Sequence, residues 1–201
     1  MGGLNSQFTF YASYHDNLIN QIVHIIFVPL IVLGVCVLLS FPPSPNLPGI
    51  TDTFEISASP IGYFNGEYPV NYAFLYAFSH AVYYAILELP GFAGIVAGTG
   101  MITAYLSASN MVKDYTSEFC WNFGWFGIIF GFAIQIFAHQ VFEKRSPAFL
   151  DNIYQAFVMA PLFVVMEFMF FFGYRSKFRQ DVQVDVDANI KAFRAGQKKK
   201  A

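Results

Sequence analysis

The sequence predicts an all-α, polytopic integral membrane protein: a helix bundle of four spanning helices plus a re-entrant or fifth helical segment. Three observations carry that prediction. The first is composition. Of 201 residues, 56% are hydrophobic and 12% charged, about half the charge of an average soluble domain. With 25 Phe, 12 Tyr and a mean hydropathy of +0.47, little polar surface is left to keep the chain in water. The second is a series of apolar runs close to the roughly twenty residues that cross a bilayer core. The third is the Pro, Gly and charged punctuation between them. The length suits one membrane-embedded domain, residues 1–173, followed by a polar tail, 174–201. The net charge of -2 with no basic face gives no reason to expect a nucleic-acid partner. Cys36 and Cys120 both fall in or beside apolar runs and read as small buried hydrophobes, not as a disulfide framework.

The elements follow in order. The first twenty residues hold no Lys, no Arg and no apolar core, so no cleavable signal peptide is expected. Ile22–Phe41 is the first candidate span. A loop, Pro42–Pro69, follows, rich in Pro, Gly, Ser and Asn and carrying Asp52, Glu55 and Glu67 without a basic residue. Val70–Leu89 is the second span, closed by the turn pair Pro90-Gly91. Phe92–Ser109 is the third. Its Gly94 and Gly98 form the small-xxx-small spacing that lets helices approach closely. Asn110–Phe119 reads as a polar connector. Trp121–Phe142 is the fourth span, opened by Trp121 and Trp125 at the interfacial belt position. Glu143–Asn152 is a charged loop, and Ile153–Gly173 is a fifth apolar run interrupted by Pro161 and Glu167. From Tyr174 onward the tail reads as soluble amphipathic or disordered.

Lys and Arg favour the cytosolic face. Lys144 and Arg145 mark the loop after the fourth run; Arg175, Lys177, Arg179 and the terminal lysines mark the tail. The acidic Pro42–Pro69 loop faces the other way. Four crossings then put the N-terminus and the Glu143–Asn152 loop on one side. A fifth crossing would send the basic tail to the opposite side, so Ile153–Gly173 is expected to be re-entrant or broken near Pro161. Irregular backbone at depth is tolerated where protein covers it.

This parity brings three of the four histidines, His15, His24 and His139, to the same membrane face. Ionisable groups at membrane depth are costly and mark functional sites by default, and imidazole is the commonest metal ligand. His15 and His24 are nine residues apart, so one straight helix cannot aim both inward. A kink or cap must lie between them, with Asp16 or Asn17 as the N-cap. His139 and Glu143 are four apart and share a helix face, which suits two ligands, or a ligand and its orienting partner. Pro147 is expected to end that helix, and Asp151 and Asn152 to open the next. A shared metal site predicts the three imidazoles within about 5 Å of one another. Interhelical packing is the alternative role for each membrane histidine, and His80, mid-helix among aromatics, is assigned to it. Glu167 needs a partner, either as a neutral packing group or as part of the site.

The pattern YHxxxxNxxxHxxxVP, formed by Tyr14-His15, Asn20, His24 and Val28-Pro29, and the block HQVFEKRSPAFLDNIYQ from His139, followed by Ala160-Pro161 and Glu167-Phe168, resemble the fungal 2-hydroxy fatty acid dioxygenase family of the endoplasmic reticulum membrane. The resemblance runs from about Phe10 to Gly173. The chain departs from it in the long Pro42–Pro69 insert, in Asp16 where a second histidine can occur, and in His80, which matches nothing. The resemblance implies an Fe(II)-dependent dioxygenase. It would shorten a long-chain 2-hydroxy fatty acid by one carbon with molecular oxygen, by α-oxidation in phytosphingosine and sphingolipid breakdown within the lipid bilayer. His15, His24 and His139 are the implied metal ligands. Glu143 or Glu167 is the candidate to complete the shell, and Asn20 and Asp151 to orient ligands. Tyr11, Tyr14, Lys144 and Arg145 are the candidates to meet the substrate carboxylate, Arg being the better bidentate partner. Two other classes stay open: a metal-dependent membrane lipid hydrolase or hydroxylase, and a non-catalytic membrane scaffold. Met1-Gly2 opens a myristoylation pattern, and Lys198-Lys199-Lys200 fits a dilysine retrieval signal.

Overall fold

A computed structural model describes residues 3–41, 63–64, 68–89, 91–147 and 152–198. Most of the Pro42–Pro69 loop, Asp151, the first two residues and Lys199-Lys200 lie outside them. The described chain is all-helical apart from one short hairpin: α1 Leu4–Ala12, α2 Leu18–Ser40, α3 Tyr72–Leu87, α4 Ala93–Asp114, α5 Ser117–Ala138, α6 Ala160–Phe170 and α7 Ser176–Lys198. The hairpin strands β1 (Tyr63–Phe64) and β2 (Tyr68–Pro69) are antiparallel, with Tyr63 opposite Pro69 and Phe64 opposite Tyr68. Three helical stretches are long and apolar enough to cross a membrane: Leu18–Ser40, Ala93–Asp114 and Ser117–Glu143. The apolar α3 has 16 residues and reaches about 24 Å at 1.5 Å per residue.

The expected break after His15 is present. α1 ends at Ala12, and Asn17 begins α2 by accepting the Ile19 N–H on its side chain at 2.9 Å. Asn17, not Asp16, is the cap. Gln21 Nε2 donates to the His15 carbonyl at 2.7 Å, which ties the reversal to the first turn of α2.

Small residues set the helix pairs. α2 and α5 run antiparallel in close contact through Gly34, Gly124, Gly127 and Gly131. A Cβ on Gly34 would stand 2.7 Å from the Gly124 carbonyl oxygen, and one on Gly131 would stand 2.6 Å from Ile31. α3 and α4 pair the same way: Gly94 fits under the Tyr84 carbonyl, and a Cβ on Gly98 would stand 3.0 Å from the Ala81 backbone. Within a membrane such backbone approach replaces the hydrophobic drive that water supplies elsewhere. Because α2 and α5 are antiparallel, the start of α2 and the end of α5 meet at one end of the bundle.

Two helix boundaries differ from expectation. The Asn110–Phe119 connector shrinks to Tyr115 and Thr116, because α4 continues to Asp114 and Thr116 caps α5 by accepting from the Phe119 N–H at 3.3 Å. The helix does not run to Pro147. It widens into a π-helical turn, His139–Glu143, and stops at Lys144, whose φ of 52° is left-handed. Glu143, the last residue of that turn, reaches the start of α2, where its carboxylate accepts from Asn17 and Asn20. A second π-turn, Gln155–Met159, precedes α6, with Pro161 in the first turn of that helix where its missing N–H costs nothing. The tail from Ser176 takes the amphipathic one of its two expected forms: it is α7, a long helix.

The segment leading through α6 has partners near the histidine end. Tyr84 donates its hydroxyl to the Val158 carbonyl, Phe163 and Phe170 contact Phe8 of α1, and Tyr174 reaches Glu88 at 2.9 Å. α7 then lies against α1, burying Phe178, Val182, Val186 and Ile190, a four-residue spacing that forms one apolar stripe. Cys36 and Cys120 are free and buried.

Candidate metal centre

Each of the three histidines is placed by a local rule. His15 follows α1 and its Nδ1 lies 2.8 Å from the Tyr11 carbonyl; His24, in the second turn of α2, holds the Asn20 carbonyl at 2.9 Å in the same way. A carbonyl only accepts, so both Nδ1 atoms carry the proton and each Nε2 keeps its lone pair. His139 caps α5, where the helix widens.

The three rings converge. Their centroids are 4.4 Å (His15–His24), 4.8 Å (His15–His139) and 5.0 Å (His24–His139) apart, with planes inclined at 85°, 71° and 78°. One ligand nitrogen from each lies within 4.8 Å of the others. The separations meet the 5 Å expected from sequence. All three side chains are buried, and His15 Nε2 and His139 Nδ1 have no hydrogen-bond partner. Orphaned buried nitrogens are rare in folded proteins; two in a cluster of three imidazoles fit a cation-binding site. Burial, then His24 and His139, hold the His15 imidazole well below its usual range, so it is neutral and ready to ligate. Nitrogen donors of this kind suit iron(II), zinc and neighbouring divalent metals.

The surroundings of the cluster are wired rather than loose. The Tyr11 ring stacks on His15 at 3.9 Å and its hydroxyl donates to Glu167 Oε2 at 3.1 Å. Burial, followed by the neighbouring Glu167, pushes the Tyr11 phenol well above 10, which keeps that hydroxyl protonated. Glu143 Oε1 accepts from the Asn17 N–H at 2.8 Å and from Asn20 Nδ2 at 3.1 Å. The carboxylate therefore clamps the end of α5 onto the positive start of α2, and through Asn20 it connects to His24.

Not every expected residue reaches the cluster. Arg145 is committed to a clasp: its guanidinium lies 3.5 Å over the Tyr14 ring and 4.2 Å from the Phe193 ring of α7, and Nη1 donates to the Ser13 carbonyl at 3.0 Å. Lys144 is exposed. Asp151 lies outside the described residues. His80 stands apart, its Nδ1 2.7 Å from the Tyr76 carbonyl and its ring between Tyr76 and Tyr84. Two groups escaped the sequence reading. Gln135, one turn before His139, is buried with Nε2 unpartnered. A cavity of about 800 Å³ among α1, α6, α7 and the start of α2 reaches His15 and Glu167. Only the i,i+4 spacing from His139 could have pointed to Gln135. The cavity required knowing where α7 lies.

The profile of the family described as "2-hydroxy-palmitic acid dioxygenase Mpo1-like" matches residues 1–172. The 2-hydroxy-palmitic acid dioxygenase MPO1 of Saccharomyces cerevisiae is 30% identical over 192 residues, which is 95% of this chain and 94% of that protein. No solved structure matches the chain. The chain belongs to the Mpo1-like family.

Proposed function

We propose that this Mpo1-like protein is an iron(II)-dependent dioxygenase. It converts long-chain 2-hydroxy fatty acids to the acid one carbon shorter, in the sphingolipid breakdown of the endoplasmic reticulum membrane. The observation that carries the reading is the cluster of three buried, convergent imidazoles beside a cavity of about 800 Å³. Membership of a family described by a 2-hydroxy-palmitic acid dioxygenase names the reaction class.

The chemistry follows from the donor set. His15, His24 and His139 would hold the ion, and all three are neutral donors. A divalent ion bound there keeps its full charge and favours an anionic chelator, which a 2-hydroxy carboxylate is. Iron(II) when bound supplies the oxygen chemistry. One hydroxy acid and one oxygen molecule then balance to the shortened acid, carbon dioxide and water, with no outside electron donor. The protein's own part is placement. Phe8, Phe170 and Phe171 line the cavity and offer an apolar path for the acyl chain. Tyr11 and Glu167 hold a shared proton one ring away from His15. Glu143 and Asn20 keep the ends of α5 and α2, and so His139 and His24, in register. Burial excludes bulk water.

The same neutral nitrogens suit a zinc-type lipid hydrolase, and product mass separates the two. Purified protein in detergent, supplied with 2-hydroxyhexadecanoate, should yield pentadecanoate only with oxygen present and without a chelator. Shortening under anaerobic conditions, or undiminished with chelator, contradicts the dioxygenase reading.

The orientation we infer has four crossings, α2 to α5, with Ile153–Gly173 re-entrant. It is supported by the partners of Tyr154, Val158 and Tyr174, all in the last turns of α3 or just after it. Single cysteines at 144 and 198 should label from the same, cytosolic side of sealed vesicles. Opposite sidedness contradicts it.

A further inference from the structure

α7 lies beyond the family match, which ends at residue 172, yet it walls the cavity that reaches His15. It is fastened at both ends. At its start, Arg175 Nη1 pairs with the fully buried Glu88 at 2.6 Å, and the Tyr174 hydroxyl joins the same carboxylate at 2.9 Å. Glu88 Oε2 also accepts from the Gly94 N–H at 3.2 Å, so the network ties α7 to the turn between α3 and α4. Toward its far end, Asn189 Nδ2 donates to Ser13 Oγ at 3.1 Å, Phe193 completes the Arg145–Tyr14 clasp, and Arg194 lies 3.6 Å from Asp16.

Between these fastenings α7 presents Ser176, Arg179, Gln180 and Gln183 along the open side of the cavity, where all four are exposed. Arg179 is the cationic side chain in that lining. Among the described residues it forms no ion pair, and its guanidinium rests 5.7 Å from the Phe170 ring. Glu167, the buried acid in the same wall, accepts from Tyr11 and interacts electrostatically with Arg179 without forming an ion pair with it. A cation between amide side chains, opening onto phenylalanines, matches an amphiphile with a single-charge head.

We propose that α7 is the lid of the substrate cavity and that Arg179 binds the carboxylate of the free acid entering it. The inference rests on the dioxygenase reading for the identity of that acid. The guanidinium fork matches a carboxylate in a bidentate manner. One arginine suits a monoanion, so the cavity selects the free acid over its neutral esters and over polyphosphate-bearing thioesters. Residues 174–198 then belong to the catalytic unit.

The test is equilibrium binding to the full-length protein in detergent, with 2-hydroxyhexadecanoate and its methyl ester as probes. Wild-type protein should prefer the acid. Arg179→Gln should narrow that preference about tenfold, the size of a charge-assisted hydrogen bond. Arg179→Lys should restore part of it, with thermal midpoint and metal content unchanged in both variants. An acid-to-ester ratio that Arg179→Gln leaves unaltered, or equal weakening for both probes, overturns the proposal. Acid selectivity through Arg179 without oxygen-dependent shortening would instead sink the proposed reaction and leave this site standing.

Discussion

His24 and His80 are wired alike. Each lies on an apolar helix, and each holds the main-chain carbonyl four residues back through Nδ1, at 2.9 Å and 2.7 Å. His80 even shares with His15 an Nε2 that is buried and unpartnered. The difference lies in what the free nitrogen meets. Around His24 the α1 reversal delivers His15 and the end of α5 delivers His139. Around His80 stand the rings of Tyr76 and Tyr84. The local bond orients an imidazole; only convergence from separate elements makes a metal centre.

The sharpest way to break this contrast is His139→Ala. Two neutral nitrogens should not hold the ion, so metal and turnover should fall together to background, while His80→Ala keeps both. Equal losses in the two variants would erase the distinction. Glu143→Gln comes next. The glutamine keeps an oxygen for Asn17 and Asn20 but loses the charge at the start of α2. Metal should stay and turnover fall roughly 10–100-fold, the range for groups that orient ligands. Metal loss would promote Glu143 to a ligand.

Smaller effects probe the scaffold. Arg175→Met should leave Glu88 buried without its cation and lower stability by about 3 kcal/mol, read as a drop in thermal midpoint in detergent. Asn17→Ala removes the cap between His15 and His24 and should cost about 1 kcal/mol. His80→Ala should change turnover by less than about twofold. A large activity loss with metal intact would give His80 a role beyond packing.

Much of this was legible in the sequence, for identifiable reasons. The apolar runs showed the helices, because a bilayer demands length and hydrophobicity together. Charge parity put His15, His24 and His139 at one face, and a separation of nine positions between the first two demanded the break that Asn17 caps. The misses were tertiary. The π-turn at His139–Glu143 and the bonds by which Glu143 ties it to Asn17 and Asn20 join separate elements, and helical spacing carries no sign of either. Nothing local shows that the Arg145 guanidinium lies over Tyr14 and beside Phe193. Arg179 looked like tail charge until α7 was seen against α1. Amphipathic spacing of Phe178, Val182, Val186 and Ile190 announces a buried stripe but does not name what it covers.

The account stands most directly on elemental analysis of the purified protein. Wild-type protein reconstituted with ferrous iron should hold one iron per chain, His80→Ala should hold the same, and His15→Ala and His139→Ala should hold essentially none. A wild-type protein that binds no metal, or one iron per chain retained after loss of both His15 and His139, would contradict it.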